Sequence, residues 1–420
     1  MLKYVLIIGD GMADNPVPEL GNLTPLQYSN IPHTDALTAR GFIGSVKTCP
    51  EGLPPGSDTG ILSIFGADPR ICYTGRSPLE AAATGIKLAA GDVSYRCNMV
   101  SLSDGGNFFE NLKILSHSGG AIDGEASDEL IDHLFADPEF NSLAKKACMR
   151  VYPACSFRHI AVQENANIKG IVLSPPHNYL GQEIAPILPT GCPNASVLRE
   201  LMKKSHKVLN HHPINETRRA EGKLPANAVW FWAEGTGVEL ESFYSKYKKK
   251  GVVISAVPLC HGIARLSGLD IKLVDGATGE LDTNLEGKVD ATLEALRRDF
   301  DFAAIHVEAP DECTHNGDLK GKIQAIEWLD SRVIAPLIQA LDKENLDYRL
   351  LYLADHKTLT STRGHDGEPV PFLIYDSRVD TKCNLPYNEE SGKAGLFVNT
   401  GLKLMSLLFE QPVSEDIAPY

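Results

Sequence analysis

The sequence lacks the segments that are typical of secreted, membrane or nucleic-acid-binding proteins. Its apolar opening, residues 1–9, is too short to cross a bilayer and runs into Asp10, so we interpret it as a buried strand and not as a signal peptide. Nine cysteines form no Cys-x-x-Cys pair and are odd in number, which favours reduced thiols in a cytoplasm. The net charge of −14 argues against nucleic acid or an anionic membrane as a partner, because both require basic patches.

Patterns of several other protein classes are missing as well. We find no internal repeat, no low-complexity tract and no coiled-coil heptads, and neither G-x-x-x-x-G-K-[S/T] nor G-x-G-x-x-G occurs. What remains is a globular chain of 420 residues, 43% of them apolar. This length exceeds what one hydrophobic core usually supports, so we predict two domains.

Apolar runs alternate with helical patterns at both ends of the chain. Continuous apolar runs are typical of parallel strands buried on both faces, and their alternation with helices predicts a doubly wound α/β core. The runs are residues 4–8, 251–257, 302–307 and 349–354, and the helical patterns are residues 284–298 and 320–342. We assign residues 1–85 and 237–420 to this discontinuous core.

Residues 86–236 differ in composition from both ends. They carry many Pro, Asn, His and Gly residues, and their strand-like runs are short, at residues 161–163, 171–173 and 229–232. The segment is too long for a loop and too apolar for a disordered linker. We therefore predict an inserted domain of α+β type.

Seven residues with metal-binding or nucleophilic side chains lie where strands are predicted to end or helices to begin. They are Asp10, Ser57, Asp311, His315, Asp355, His356 and His365. Ligands collect beyond the carboxyl ends of parallel strands, and mixed carboxylate and imidazole donors suit Mn or Zn better than Ca or Mg. The set fits two divalent metals beside an activated serine, which predicts phosphoryl chemistry. Singly, each Asp has the simpler interpretation of a helix cap, and His356 and His365 that of surface loop residues.

Ser57 has two interpretations. It follows Pro54, Pro55 and Gly56 and precedes the apolar helical stretch 61–65, so it is well placed to be an N-cap. The same position would place a nucleophile beside the free N–H groups and dipole of a helix, and a metal would lower the pKa of its hydroxyl.

Short motifs occur along the whole chain. They are Ile8-Gly9-Asp10-Gly11-Met12, Pro54-Pro55-Gly56-Ser57-Asp58-Thr59-Gly60, Tyr73-Thr74-Gly75-Arg76-Ser77-Pro78-Leu79-Glu80-Ala81, Tyr95-Arg96-Cys97-Asn98, Arg218-Arg219-Ala220-Glu221-Gly222-Lys223, Asp282-Thr283-Asn284, Ala309-Pro310-Asp311-Glu312 and Ala354-Asp355-His356. Together they resemble the cofactor-independent phosphoglycerate mutases, in particular the archaeal-type branch of the alkaline phosphatase superfamily. The resemblance covers essentially the entire chain.

The resemblance implies an alkaline-phosphatase-like core and an isomerase that interconverts 3-phosphoglycerate and 2-phosphoglycerate in glycolysis and gluconeogenesis. It implies that Ser57 is the nucleophile that becomes phosphorylated. It places one metal on Ser57, Asp10, Asp355 and His356, and the other on Asp311, His315 and His365. The expected cofactors are two divalent ions, Mn first, with Zn, Co and Mg as alternatives.

A small phosphorylated carboxylate requires cationic side chains for its recognition. We predict Arg96, Arg158, His159 and Arg265 as substrate-binding residues, since the arginines lie among apolar residues and a guanidinium fork fits phosphate and carboxylate. The inserted domain would close over the core, because an open cleft would let water take the phosphoryl group. His159 and His177 are candidates for the proton shuttle.

Three alternatives to the mutase stay open. The chain departs from the family pattern at Asn178, Thr314 and Asn316, and none of these is a proposed metal ligand, so the alternatives concern the substrate more than the core chemistry. A metal-dependent phosphomonoesterase would use the same ligands. A small-molecule kinase, such as the homoserine kinase proposed for relatives, would hold its nucleotide directly on the metals. A binding protein without activity would leave the ligand set without use.

Overall fold

The computed structural model describes residues 2–105, 108–412 and 420, which form two compact units. Unit 1 comprises the described residues of Met1–Tyr73 and Glu239–Tyr420, and unit 2 those of Thr74–Val238. The boundaries expected from the sequence differ from these, because residues 74–85 and 237–238 group with unit 2. The first difference arises because a helix over Arg76–Ala83 packs on strands of unit 2.

The elements of the described residues are numbered in chain order. The strands are β1 (Lys3–Gly9), β2 (Phe42–Val46), β3 (Val93–Leu102), β4 (Ile114–Ser116), β5 (Met149–Cys155), β6 (Arg158–Gln163), β7 (Ala228–Thr236), β8 (Gly251–Ile254), β9 (Asp270–Lys272), β10 (Phe302–Val307), β11 (Tyr348–Leu353), β12 (Lys357–Leu359), β13 (Gly364–Asp366), β14 (Val370–Asp376) and β15 (Leu396–Val398). The α-helices are α1 (Pro25–Tyr28), α2 (Pro32–Arg40), α3 (Ser57–Ile64), α4 (Pro69–Cys72), α5 (Arg76–Ala83), α6 (Gly124–Ala136), α7 (Pro138–Lys146), α8 (Pro193–Leu209), α9 (Pro213–Ala220), α10 (Phe243–Tyr247), α11 (Pro258–Leu266), α12 (Leu285–Arg297), α13 (Ala309–His315), α14 (Leu319–Trp328), α15 (Ala335–Lys343), α16 (Glu389–Ala394) and α17 (Leu404–Leu408). Short 3-10 helices cover Pro18–Leu20, Phe109–Asn111, Pro176–Tyr179, Ala185–Ile187 and Gly401–Lys403, and one π-helical segment covers Leu329–Ile334.

Unit 1 is built on an eight-stranded sheet in the order β15-β2-β14-β11-β1-β10-β8-β9. The strands from β11 to β9 are all parallel, whereas β14 pairs antiparallel with both β11 and β2. The predicted α/β class is confirmed, with the correction that the sheet is mixed.

The apolar runs of the sequence become the central strands of this sheet. Every residue of β1 and β10 is buried, which explains why these strands show continuous apolar character instead of alternation. The helical pattern at 320–342 divides into α14, a π-helical segment and α15. The division has a local cause, since Pro336 at the start of α15 has no N–H to donate to the preceding turn.

Unit 2 contains an antiparallel sheet in the order β4-β3-β6-β5, with β7 also paired to β3. Helix α8 packs on β7, and α6 and α7 pack on β5. The core between them is rich in large aromatic side chains such as Tyr95, Trp230 and Phe231. An antiparallel sheet with helices of its own is the α+β type predicted for this part of the chain.

One predicted strand of unit 2 is wrong. Residues 161–163 and 229–232 lie in β6 and β7, but residues 171–173 form only an isolated bridge between Val172 and Thr190. The following Pro175 and Pro176 lack the N–H groups that would extend a ladder, and the chain turns into a 3-10 helix there. Among the described residues, no helix is both long and apolar enough to cross a bilayer.

Candidate functional site

The seven side chains predicted as a metal site all lie in unit 1. Strands β11, β1 and β10 are parallel neighbours, so the residues that follow them share one edge of the sheet. The side chains so placed are Asp10 after β1, Asp311 and His315 on α13 after β10, and Asp355 and His356 after β11, while Ser57 begins α3 and His365 lies in β13.

Asp10, Asp355 and His356 form a first cluster, here called the buried group. All three are completely buried, and their ligand atoms lie within 4.8 Å of one another. His356 Nε2 is 3.3 Å from Asp10 Oδ1 and 3.5 Å from Asp355 Oδ2. Ser57 Oγ adjoins this group, 3.1 Å from Asp10 Oδ2 and 3.2 Å from His356 Nε2. The hydroxyl and the three possible ligands therefore converge on one small volume.

Asp311, His315 and His365 form a second cluster, here called the half-buried group. His315 Nε2 is 3.1 Å from Asp311 Oδ2, and His365 Nε2 is 3.5 Å from Asp311 Oδ1. The two imidazole Nε2 atoms are 2.9 Å apart, so at least one of them carries no proton and offers a lone pair. The side chains of His315 and His365 are 33% and 26% exposed, which makes this group more accessible to water than the first.

The two groups are adjacent. The rings of His356 and His365 lie 4.2 Å apart between centroids, and Thr358 Oγ1 is 2.5 Å from Asp311 Oδ1 and 3.2 Å from His356 Nδ1. Gly11 permits this close approach. Its φ is +58°, and a Cβ there would lie 2.3 Å from Thr358 Oγ1 and 2.5 Å from Asp311 Oδ1, so a side chain at position 11 is excluded.

Ser57 is the first residue of α3 and not its cap. Gly56 occupies the cap position, and no side chain accepts a hydrogen bond from the first turn as a cap. The simpler interpretation of Ser57 as an N-cap is therefore wrong. The hydroxyl is instead directed to Asp10 and His356, at the end of the helix where the dipole is positive.

The electrostatics of the buried group favour a cation. Burial raises the pKa of Asp10 well above its usual range, and the charges of Asp355, Asp311 and Glu308 raise it further. Burial also acts on Asp311, but hydrogen bonds from His315 and His365 hold the pKa of that carboxyl below its usual range.

The surroundings of one carboxylate oxygen, Asp355 Oδ2, indicate whether these residues fit a metal. Asp355 Oδ2 is completely buried and has no hydrogen-bond partner among the described residues. Burial of a carboxylate oxygen without a partner destabilises the folded protein unless a bound ligand supplies the missing contact. The Asp355 oxygen lies in a group with the Asp10 carboxylate and the His356 imidazole, next to Ser57. These oxygen and nitrogen donors are the ligands that a divalent ion requires. The donors present therefore fit the metals that the sequence predicts.

Comparison with known proteins decides the family. Residues 38–215 match the model of the family described as 2,3-bisphosphoglycerate-independent phosphoglycerate mutase. A relative from Geobacter sulfurreducens, named a probable mutase of this kind, is 43% identical over 415 residues, which cover 98% of this chain and 100% of the relative. The chain belongs to this family. A mutase of the same name from Methanosarcina acetivorans is 43% identical over 396 residues, 94% of this chain and 96% of its own length.

Solved structures show the same fold. A protein from Pyrococcus horikoshii has a TM-score of 0.79 and 30% identity, with coverage of 99% of this chain and 100% of that one. The cofactor-independent phosphoglycerate mutase from Thermoplasma acidophilum has a TM-score of 0.65 at 24% identity, with coverage of 98% and 99%, and shows the same fold. The resemblance inferred from the motifs is confirmed.

The residues predicted to bind a mutase substrate are divided between the units. Arg96 on β3 and Arg158 at the start of β6 lie in unit 2. His159 is also in unit 2 but is completely buried, with Nε2 2.8 Å from Ser127 Oγ. Arg265 is exposed on α11 of unit 1. Their contacts with substrate stay predictions.

Arg96 is held in a defined orientation. Its Nε donates to Glu80 Oε2 at 2.8 Å, and a second contact joins Nη2 to Oε1. Its guanidinium lies 4.8 Å from the centroid of the Trp232 ring. Burial acts to raise the pKa of Glu80, but the Arg96 guanidinium lowers it below the usual range, so the pair is ionic. Arg96 is thus a positive group that is only 7% exposed.

Two arginines and two histidines pack on the aromatic rings of Trp232 and Phe157. We call them the arginine cluster (Arg96, His117, Arg158 and His177). The ring of His177 packs on Trp232 at 5.2 Å and on His117 at 5.9 Å, and Arg158 lies 5.4 Å from the Phe157 ring. Burial lowers the pKa of both histidines, and nearby arginine charges lower it further. The lowered pKa keeps the two histidines neutral at pH 7, so the positive charge of the cluster comes from Arg96, which is paired with Glu80, and from Arg158, and these guanidinium groups suit an anion.

Three residues of the site escape prediction from sequence. His306 on β10 is 2.9 Å from Asp10 Oδ2, Thr358 bonds Asp311, and Glu80 orients Arg96. A histidine inside the apolar run 302–307 is a weak signal that could have identified the first of them. Thr358 carries no such signal, because Asp311 is 47 positions away in the sequence, and the sequence around Glu80 does not indicate that its partner is Arg96.

Proposed function

We propose that the chain interconverts 3-phosphoglycerate and 2-phosphoglycerate through a phosphoserine at Ser57, with two divalent ions held by the buried and half-buried groups. Membership of the mutase family supports the reaction. The observation that carries the proposal is the position of Ser57 Oγ, 3.1 Å from Asp10 Oδ2 and 3.2 Å from His356 Nε2. We propose a cytoplasmic location, where free thiols such as Cys49 and Cys260 stay reduced.

The ligand sets would divide the ions between the two groups. Asp10, Asp355 and His356 would hold one, with Ser57 beside it, and Asp311, His315 and His365 would hold the other. We expect Mn, since mixed oxygen and nitrogen donors suit it, with Zn, Co and Mg as alternatives. When bound, the ions would lower the pKa of the Ser57 hydroxyl and neutralise the charge of the phosphoryl group.

The proposed reaction transfers the phosphoryl group in two steps, first to Ser57 and then back to the glycerate. Ser57 Oγ attacks the phosphorus of 3-phosphoglycerate, and the bond from phosphorus to the C3 oxygen breaks. The proton lost by the Ser57 hydroxyl is matched by the proton that the C3 oxygen gains. The 2-hydroxyl of the same glycerate then loses a proton and attacks the phosphorus, and the bond from phosphorus to Oγ breaks. Neither water nor a nucleotide is consumed.

The substrate carries a carboxylate besides its phosphate, and we assign it to the arginine cluster of unit 2. The guanidinium groups of Arg96 and Arg158 offer the charge-assisted hydrogen bonds that a carboxylate accepts. Glu80 and Trp232 hold Arg96 in one orientation, so little side-chain entropy is lost on binding. We further propose that unit 2 acts as a lid that excludes water while the phosphoryl group is on Ser57.

One assay tests the function. Metal-loaded protein is incubated with 3-phosphoglycerate in the absence of nucleotide, and 2-phosphoglycerate and free phosphate are followed together. We expect 2-phosphoglycerate to approach equilibrium with little phosphate release. Phosphate as the main product would make the protein a phosphomonoesterase. Absence of both products, together with phosphorylation of homoserine by ATP, would replace the mutase with a kinase.

A further inference from the structure

Asp10 is hydrogen-bonded to His306, which is hydrogen-bonded to Ser255, and neither of these buried residues belongs to the predicted set of metal ligands. His306 Nε2 is 2.9 Å from Asp10 Oδ2, and His306 Nδ1 is 3.2 Å from Ser255 Oγ. Ser255 and His306 are each 2% exposed, and Asp10 is not exposed at all. The three residues form a continuous hydrogen-bonded row beneath the candidate metal site.

The chemistry of the row fixes the direction of its hydrogen bonds. With a divalent ion bound, Asp10 would be ionised and its carboxylate could only accept, so His306 Nε2 would carry the hydrogen. The Nδ1 atom of the neutral ring is then an acceptor, which the Ser255 hydroxyl serves as donor. Ser255 Oγ in turn accepts from the Val257 N–H at 3.0 Å.

The backbone around His306 is anchored as well. Lys288 is 1% exposed, and its Nζ donates to the His306 carbonyl oxygen at 2.9 Å. His306 lies within β10, where it is in register with Ile8 of β1, two residues before Asp10. The imidazole is therefore fixed by its strand, by Lys288 and by Ser255 before it meets the carboxylate.

This arrangement decides how Asp10 presents its two oxygens. Oδ2 faces His306 at 2.9 Å and Ser57 Oγ at 3.1 Å, which leaves Oδ1 towards His356 Nε2 at 3.3 Å. A carboxylate without the His306 contact could rotate about its terminal torsion, since such torsions are broad. Hydrogen bonds from outside a metal site commonly orient its ligands in this way.

We infer that His306 is a positioning residue that, with Ser255, holds Asp10 in the orientation in which it binds a divalent ion beside Ser57. The inference rests on the proposed function, because it presumes that the buried group binds a metal. Among the described residues, the His306 ring is hydrogen-bonded to Asp10 and Ser255 and to no member of the half-buried group, so we expect its effect to be confined to one of the two ions.

The test uses two substitutions at His306, the substitution Ser255→Ala and one matched control, all in the full chain. His306→Leu removes the donor, whereas the amide N–H of Gln in His306→Gln lies about as far along the side chain as Nε2 and keeps a donor for Asp10. His206→Gln in unit 2 replaces another largely buried histidine that has no contact with the site. Manganese is titrated into each metal-free protein, and the free ion is measured by electron paramagnetic resonance.

We expect two classes of manganese site in the wild type and in the His206 variant. His306→Leu should weaken one class about 10- to 100-fold, the range typical of lost ligand-orienting contacts, and leave the other unchanged. His306→Gln should recover most of the affinity, and Ser255→Ala should cause a smaller loss. At fixed manganese, kcat should fall with KM for 3-phosphoglycerate unchanged, as expected when substrate binding is intact.

Several outcomes would overturn the inference. Equal manganese affinity in His306→Leu and wild type would show that the row is only structural, and equal weakening of both classes would show a general loss of packing. Complete loss of one class in both His306 variants would make the imidazole a ligand in its own right. If His306→Leu does not fold, His306→Gln and Ser255→Ala still give the comparison. Absence of manganese binding by the wild type would refute the proposed function instead.

Discussion

Unit 1 and unit 2 gather polar side chains of opposite character, buried aspartates in the first and largely half-buried or exposed arginines and histidines in the second. Unit 1 brings three aspartates together at one edge of its sheet, with imidazoles within 3.5 Å of each and one oxygen of Asp355 left without a hydrogen bond among the described residues. Unit 2 gathers arginines and histidines around Phe157 and Trp232. Buried charge is stable only when it is compensated. The comparison teaches that unit 1 is prepared for cations and unit 2 for an anion, as a metal-dependent reaction of an acidic substrate requires.

The largest expected effect comes from removing the hydroxyl that adjoins the buried group. Ser57→Ala should lower kcat at least about 10⁴-fold, because the proposed mechanism requires its hydroxyl to carry the phosphoryl group. The fold should persist, since alanine is a good helix former at the start of α3. Turnover and transfer of labelled phosphate from 3-phosphoglycerate to protein are measured, with Ser63→Ala on the same helix as the control. Appreciable activity in Ser57→Ala would show that Ser57 does not carry the phosphoryl group.

Metal addition tests whether a bound ion raises the free energy of unfolding of unit 1 and leaves that of unit 2 unchanged. Manganese at about 100 times its Kd should stabilise unit 1 by about 2.7 kcal/mol per site, because only the folded state offers the ligands. In unit 2, the described residues contain no cluster of three ligands of this kind. Hydrogen exchange measured with and without manganese should therefore slow in β1, β10 and β11 and stay unchanged in β3 and β6. Equal protection of both sets of strands would contradict the comparison.

A smaller effect is expected for the anion-binding role of unit 2. Arg158→Ala should raise KM for 3-phosphoglycerate about 10- to 100-fold, the cost of a lost charge-assisted hydrogen bond. It should also raise the fraction of phosphate released, because glycerate leaves before it recovers the phosphoryl group. Arg150→Ala on β5 is the matched control, since Arg150 is 68% exposed and pairs with Glu164. Equal kinetics in the two variants would place the carboxylate elsewhere.

The smallest effect concerns acid and the stability of unit 2. Burial lowers the pKa of His159 and His206 to about 4, below the value of 6.5 that applies on unfolding. The unfolded chain therefore binds protons first, so this stability is complete above pH 6.5 and is lost as the pH falls towards 4. Near pH 5.5 the loss should be on the order of 1 kcal/mol for each histidine.

The acid effect can be measured in unit 2 alone. Trp328 is the tryptophan of unit 1, so in a Trp328→Phe background the fluorescence of Trp230 and Trp232 reports unfolding of unit 2. Denaturant unfolding at pH 7 and pH 5.5 should show a lower midpoint at the lower pH. His159→Gln should reduce this dependence by about half. A midpoint independent of pH would show that these imidazoles do not titrate on unfolding.

The parts predicted from sequence are those with local signals. The strands β1, β10 and β11 were visible because burial on both faces requires continuous apolar residues, and their ends located Asp10, Asp311 and Asp355. Residues 171–173 misled because an apolar triplet alone does not specify a partner strand.

The supporting contacts of the site could not be predicted, because their partners are remote in the sequence. Asp10 and His306 are 296 positions apart, and Thr358 lies 47 positions from Asp311. Such pairs depend on strand order and on side-chain rotamers. A single sequence does not specify either of these features.

The discontinuity of unit 1 also sets an order for its assembly during synthesis. The partners of β1 are β10 and β11, in register from Tyr4 with Phe302 and from Lys3 with Tyr348. An N-terminal strand that leaves the ribosome has no neighbour until most of the chain has been made, whereas every strand of unit 2 is available once residue 236 has emerged. Unit 2 can therefore fold first, and the candidate metal site is completed only after residue 365 has been made.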